Sequence, residues 1–152
     1  PWFIVSKTPD LARLIRTARE VNDGKPEWVL EKVKLAVAEF LQANPEKTAQ
    51  DVTIACFGLA FKPDIDDLRE SPALLIATTL QQIHPGKLLL VEPNISTRPE
   101  YLKNNAELTS IEDAMSRSQI ALILVAHRSF KGGALTGHPD VVMINACGIN
   151  IS

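Results

Sequence analysis

The chain has 152 residues, with 16 Lys and Arg against 18 Asp and Glu, so its formal net charge is −2. Apolar residues make up 45% and charged residues 22%, the balance of a folded domain, which excludes a largely disordered chain. So small a net charge supplies no general field for nucleic acid or an anionic membrane surface, and no apolar run approaches the roughly 20 residues of a membrane helix. Its two cysteines, Cys56 and Cys147, sit in apolar segments and predict reduced thiols in a cytoplasmic setting rather than a disulfide framework. The opening Pro1-Trp2-Phe3-Ile4 lies inside an apolar stretch without a Met, which predicts a piece of a longer chain.

Thr8-Pro9-Asp10 predicts a helix start, with a hydroxyl to cap, a proline at the first position and an acid at the positive end. Leu11, Leu14, Ile15, Ala18 and Val21 follow at helical spacing. Asn22-Asp23-Gly24-Lys25-Pro26 predicts a break. A second helix carries Val29, Val33, Ala36, Val37, Phe40 and Leu41 on one face and is expected to end at Asn44-Pro45. Two tandem helices without a strand predict a helical arm over residues 1–44. The two apolar stripes are longer than one small sheet covers, which predicts self-association through the arm, a two-fold dimer being the commonest closed assembly.

A polar linker leads to residue 51, where the pattern changes. Val52–Phe61, Lys87–Glu92, Gln119–Ala126 and Val141–Ala146 are nearly continuous apolar runs, as strands buried on both faces are, and a short strand is expected near Glu107–Leu108. Between them, Ser71-Pro72 opens one helix, Arg98–Asn105 predicts a short one, and Thr109-Ser110-Ile111-Glu112 reads as a capping box for another. Alternating strands and helices predict an α/β domain over residues 51–152: a Rossmann-like open parallel sheet with helices on both faces, preceded by the helical dimerisation arm.

The segment Gly58-Leu59-Ala60-Phe61-Lys62-Pro63-Asp64-Ile65-Asp66-Asp67-Leu68-Arg69-Glu70-Ser71-Pro72 leaves the end of the first strand and enters a helix, where open parallel sheets bind ligands. A ring at Phe61, a cation at Lys62 and a helix start at Ser71 suit a base or sugar bearing phosphates. The same residues also read as a solvated charged loop, and both readings stand at this point. Gly58 stands alone, so the G-x-G-x-x-G dinucleotide fingerprint is absent. His84, His127 and His138 have no metal-site spacing, and His127 is expected to be a surface-loop histidine. Cys147, before Gly148, is expected to be a structural thiol, since its neighbours carry no positive charge.

The run from Gly58 to Pro72 resembles the C-terminal motif of the UDP-glucose/GDP-mannose dehydrogenase family, in which a strand ends in Gly-x-Ala-Phe-Lys and Asp-x-Arg-Glu-Ser-Pro follows. Pro1-Trp2-Phe3-Ile4, Ala18–Asp23 and Val91-Glu92-Pro93-Asn94 resemble the branch that oxidises UDP-N-acetyl-D-mannosamine, so the resemblance extends over essentially the whole chain. It implies a complete enzyme with an N-terminal NAD-binding domain, a central helical dimer core and a C-terminal nucleotide-sugar domain. A catalytic cysteine upstream of Pro1 would attack the C6 aldehyde, and two hydrides would pass to two NAD on the way to the carboxylate. Phe61 and Lys62 match positions that contact the nucleotide sugar, and Arg69 matches one that reaches NAD. After the last strand the family carries a basic residue that also contacts substrate. Here Cys147 stands at that place, in Asn145-Ala146-Cys147-Gly148, and a thiol does not replace the charge. The expectation is thus a UDP-sugar-binding fragment of a cytoplasmic NAD-dependent enzyme of surface polysaccharide synthesis, inactive alone, with no metal site and no nucleic-acid or membrane partner. The alternatives are a non-catalytic α/β nucleotide-binding module with a helical assembly arm, or a purely structural role.

Overall fold

Five short apolar runs pair side by side, all in parallel: β1 (Ile54–Phe57), β2 (Leu88–Val91), β3 (Ala106–Leu108), β4 (Ile120–Ile123) and β5 (Val142–Asn145), in the order β3-β2-β1-β4-β5. The structure, a computed structural model, describes residues 1–100, 102 and 105–150. The period-two pleat sends Ile54, Cys56, Leu88, Leu90, Ile120 and Leu122 to one face, and Ala55, Phe57, Leu89, Val91, Ala121 and Ile123 to the other. Both faces are covered, which is why β1, β2 and β4 read as unbroken apolar runs. Over the first face lie α2 (Arg13–Ala43) and α3 (Pro72–Ile83), through Val29, Val33, Ala36, Leu74, Ala77 and Leu80. The second face meets the short helix α4 (Ile111–Arg117) and the segment after β4, through Ala114, Met115, Leu135 and Phe130, whose ring stands edge-on to Phe57 at 5.6 Å.

The parallel α/β expectation is met. β5 departs from the expected fourth buried strand: it is the sheet edge, with β4 as its one neighbour, and Val142 is 41% exposed. Ser71 caps α3 as expected, accepting from the Leu74 N–H, with Pro72 in the first turn. The cap of α4 falls one residue later than the expected box: Ser110 accepts from the Asp113 N–H, and the Thr109 hydroxyl bonds the Asp113 carboxylate. Of the expected helix over Arg98–Asn105, residues 98–100 are not helical, and Tyr101, Lys103 and Asn104 lie outside the described residues.

The N-terminal segment differs most. A helix α1 already spans Trp2–Lys7, and the Thr8 hydroxyl donates to the Ile4 carbonyl, so Thr8-Pro9-Asp10 closes a helix instead of opening one. α2 begins at Arg13 and runs unbroken through Gly24 and Pro26 to Ala43. Pro26 removes the one bond that would reach the carbonyl of Asn22, and Asn22 is exposed, where water can take that carbonyl. Three residues on, Val29, Val33 and Ala36 lock the same helix onto the sheet. The second expected stripe is therefore covered by the chain's own sheet. The first stays open, with Leu11 and Leu14 at 88% and 83% exposure beside the exposed Trp2, Phe3 and Ile4.

Gly58, at the end of β1, has φ +88°, and a Cβ there would stand 2.5 Å from the Val125 Cβ and 2.9 Å from the Val125 nitrogen. Gly58→Ala should destabilise the fold by about 2–4 kcal/mol, the combined cost of a left-handed backbone and overpacking, measured as a lower denaturant midpoint.

Candidate functional site

The sheet order reverses direction at β1, so the crevice between the C-terminal ends of β1 and β4 is the place where such sheets take ligands. Three loops meet there. The first, after β1, holds Phe61 and Lys62. The second, after β2, begins with Glu92, and the third, after β4, contains His127.

Glu92 is 3% exposed and accepts five hydrogen bonds. Its Oε2 takes the backbone N–H of Leu59 at 2.8 Å and of Ala60 at 3.0 Å, and faces His127 Nε2 at 3.0 Å. Oε1 takes the Asn94 backbone N–H and side-chain amide at 3.1 and 3.0 Å. Burial pushes the Glu92 carboxyl up, but its bonds from His127, Leu59 and Asn94 outweigh that and hold it at about 2, so it stays ionised. The Asp64 N–H donates to His127 Nδ1 at 2.9 Å, which leaves the ring proton on Nε2, directed at Glu92. The ring is fully buried and packs edge-on against Phe130 at 5.2 Å. The expectation of a surface-loop histidine is corrected: His127 is interior, and it donates to the buried carboxylate that follows β2, on the far side of β1. Arg128 completes the arrangement, its backbone N–H and Nε each 2.9 Å from the Asp64 carboxylate.

Asp64 and Glu70 have φ of 61° and 53°, the left-handed region, so the loop turns sharply on both sides of its middle. Between the anchored residues Ala60 and Asp64, Phe61 presents a half-exposed ring with Lys62 Nζ 5.8 Å from its centroid. Arg69 is held within the loop by Asp67. Its guanidinium forks onto Asp67, Nε to Oδ1 at 2.9 Å and Nη2 to Oδ2 at 2.8 Å, and its side chain is 88% exposed. Those bonds hold the Asp67 carboxyl down at about 2.

A cleft of about 790 Å³ opens beside the loop, with Phe61, Glu70 and Pro72 on one wall and Leu124, Ala146 and Cys147 at the strand ends. The opposite wall is α2, with Arg19, Asn22, Asp23, Lys25, Pro26 and Val29. Two of the expected site residues, Phe61 and Cys147, thus line one cleft, while Lys62 and Arg69 are not among its lining. Residue-level reasoning missed the α2 wall, and the signal for it was a helix that continues through Pro26 and carries cations past the strand ends. Arg19 pairs with Asp23 at 3.0 Å, and its Nε is buried with no partner among the described residues. Cys147 is partly exposed, and Cys56 is fully buried, which pushes its thiol up to about 12 and makes it a poor nucleophile. Among the described residues no cluster of His, Cys, Asp or Glu could hold a metal, and no helix is long and apolar enough to cross a membrane.

Residues 55–145 match the model of a family described as "UDP-glucose/GDP-mannose dehydrogenase family, UDP binding domain". The chain is 54% identical over 131 residues to the UDP-N-acetyl-D-mannosamine dehydrogenase of Salmonella typhi, a match covering 86% of this chain and 31% of that one. It is 50% identical over 131 residues to an NDP-N-acetyl-D-galactosaminuronic acid dehydrogenase of Ralstonia solanacearum, covering 86% and 29%. Among solved structures, a UDP-N-acetyl-mannosamine dehydrogenase of Staphylococcus aureus superposes with a TM-score of 0.67 at 25% identity, over 96% of this chain and 36% of that one. The chain spans about a third of the length of the relatives it matches.

Two outcomes follow from this geometry. A thiol reagent on the native protein should label Cys147 rapidly and Cys56 only after unfolding, read by mass spectrometry of the modified peptides. Because the Glu92 carboxyl is lower in the folded than in the unfolded chain, its stabilisation is complete above pH about 4.5 and is lost as the pH falls towards about 2. Glu92→Gln should be less stable than wild type at pH 7 by about 1–3 kcal/mol, and the gap should narrow across that window in denaturant titrations.

Proposed function

Because the chain belongs to the UDP-glucose/GDP-mannose dehydrogenase family, we propose that it is the C-terminal nucleotide-sugar-binding part of an NAD-dependent UDP-N-acetyl-D-mannosamine 6-dehydrogenase. The observation that carries this reading is the 54% identity to a UDP-N-acetyl-D-mannosamine dehydrogenase over 86% of the chain, through the loop that presents Phe61 and Lys62. The proposed enzyme oxidises the sugar C6 alcohol to a carboxylate in the cytoplasm, and its product serves surface polysaccharide synthesis. Residues 51–152 form the proposed substrate domain and residues 1–44 the dimerisation arm.

In this reading the ring of Phe61 lies against the base or sugar, and Lys62 supplies a positive charge to the diphosphate. Cys147 contributes shape to the cleft wall without charge. Arg19 and Lys25 face the same cleft with Asp23 and Glu70, so the lining is balanced in charge and Lys62 at the rim adds the excess cation. The unpartnered Arg19 Nε is a donor that a ligand acceptor would satisfy. NAD, when bound, accepts the hydride in each oxidation. This chain offers NAD one contact: the Asp67 fork occupies the Nε–Nη2 edge of Arg69, and the Nη1 donors remain to suit a pyrophosphate. The loop holds one glycine, Gly58, and so makes no cradle for a dinucleotide; the rest of the NAD site belongs to segments beyond this chain. In this reading the reacting thiol belongs there as well: Cys56 is sealed in the core, and Cys147 stands at the position that the family resemblance gives to a substrate-contacting base.

The open stripe at Leu11 and Leu14, with Trp2, Phe3 and Ile4, suits a second copy of the chain as its cover. Sedimentation at tens of micromolar, about the range of weak dimers, should show a dimer, and Leu14→Glu should shift it to monomer. A monomeric wild type would remove the dimerisation role of the arm.

The reading is tested by calorimetric titration of UDP into the chain. Binding is expected to be weak, to fall about tenfold in Lys62→Ala as a charged hydrogen bond is lost, and to stay nearly unchanged in Arg69→Ala. Equal losses in both variants would refute the separate roles of the two residues. Loss in neither would return the loop to a solvated face. No NADH should form with this chain alone, and its formation would contradict the assignment of the reacting groups to other segments.

A further inference from the structure

Five hydrogen bonds tie residues 59–64 to other segments: three lead to one buried pair, and two join the Asp64 carboxylate to Arg128. Glu92 takes the N–H groups of Leu59 and Ala60, immediately before Phe61. His127 takes the N–H of Asp64, immediately after Pro63. The two acceptors are joined to each other by the 3.0 Å contact between His127 Nε2 and Glu92 Oε2. The tripeptide Phe61-Lys62-Pro63 is thereby held at both ends by a single hydrogen-bonded unit, neither member of which lines the cleft. Asp64 needs such a grip, since its φ of 61° is strained for a residue with a side chain. We infer that Glu92 and His127 are positioning residues for nucleotide-sugar binding: they hold the backbone on either side of Phe61-Lys62 so that ring and ammonium are presented together.

The inference rests on the nucleotide-sugar reading of the loop and adds to it the residues that make the loop competent. The chemistry is specific. A backbone N–H at Asp64 requires an acceptor, and Glu92 requires a donor, so the residue between them must offer both at once, about 2.2 Å apart. Neutral imidazole does this with its two ring nitrogens, and so does a side-chain amide with its oxygen and nitrogen. A hydrocarbon of similar size fills the space and offers neither. Arg128 adds an exposed clasp on the Asp64 carboxylate that can be removed without opening the core.

The test uses three variants of the chain, His127→Leu, His127→Gln and Arg128→Ala, with two measurements on each. Hydrogen exchange at the Asp64 amide reports the grip itself, and titration with UDP reports its consequence. His127→Leu should speed exchange at Asp64 by about a hundredfold and weaken UDP binding about tenfold, beyond any change in thermal midpoint. His127→Gln should restore both to within about threefold of wild type, because the amide reproduces the donor and the acceptor. Arg128→Ala, at an exposed site that leaves the core intact, should weaken UDP binding about twofold to threefold with an unchanged thermal midpoint. This arm decides the matter if His127→Leu does not fold. Unchanged exchange at Asp64 in His127→Leu would overturn the positioning role whatever UDP does. Unchanged UDP affinity in both His127→Leu and Arg128→Ala would overturn it too, as would equal loss in the Leu and Gln variants. A wild-type chain that binds no UDP, with Asp64 exchange still responding to His127→Leu, would refute the nucleotide-sugar reading while leaving the grip on the loop intact.

Discussion

An ionised carboxylate in a protein interior must be supplied with donors, or it costs several kcal/mol. Glu92 is supplied by five, and none of them is a cation. The loop after β1 lends two backbone N–H groups, the loop after β2 lends two from Asn94, and the loop after β4 lends the imidazole of His127. One side chain therefore draws the ends of three adjacent strands together at the reversal point of the sheet. Its bonds to Leu59 and Ala60 fix the backbone immediately before Phe61.

The same economy governs α2. Its C-terminal half supplies Val29, Val33 and Ala36 to the core, while its N-terminal half projects past the strand ends and becomes a wall of the cleft. A broken helix at Pro26 would have parted these two tasks. Continuity joins the cleft wall to the core in one helix, so Arg19 and Lys25 of α2 line the same cleft as Cys147. The lining cations of the cleft, Arg19 and Lys25, both come from the helix side, and Cys147 adds none.

The two cysteines illustrate how far environment outweighs residue type. Cys56 sits in the middle of the central strand, where burial keeps the thiol protonated and inert. Cys147 follows the edge strand β5 and reaches the cleft, with its sulfur 3.7 Å from the Asn145 side-chain oxygen. Both lie in apolar stretches of sequence, but Cys56 is inside the central strand and Cys147 lies beyond the end of the edge strand, before Gly148.

Much of the fold was legible because local rules decided it. Unbroken apolar runs between turn-forming residues marked the strands, and Ser71-Pro72 marked the start of α3, since strand burial and helix capping are determined within a few residues. The motif from Gly58 to Pro72 likewise pointed to the family whose model matches residues 55–145. Long-range competition decided what was misread. Pro26 looked like a break because its local cost is visible and the sheet contacts that outweigh it are not. Thr8 looked like an opening cap because the helix before it was hidden in an apolar start. His127 looked exposed because its partner, Glu92, lies 35 residues away and becomes a neighbour only when β1 brings β2 and β4 to its two sides. Sequence alone settled the parallel α/β class. Which side chains grip the loop, and that α2 closes the cleft, were decided by tertiary structure, since a buried charge and an unpaired donor find their partners only where the sheet puts them.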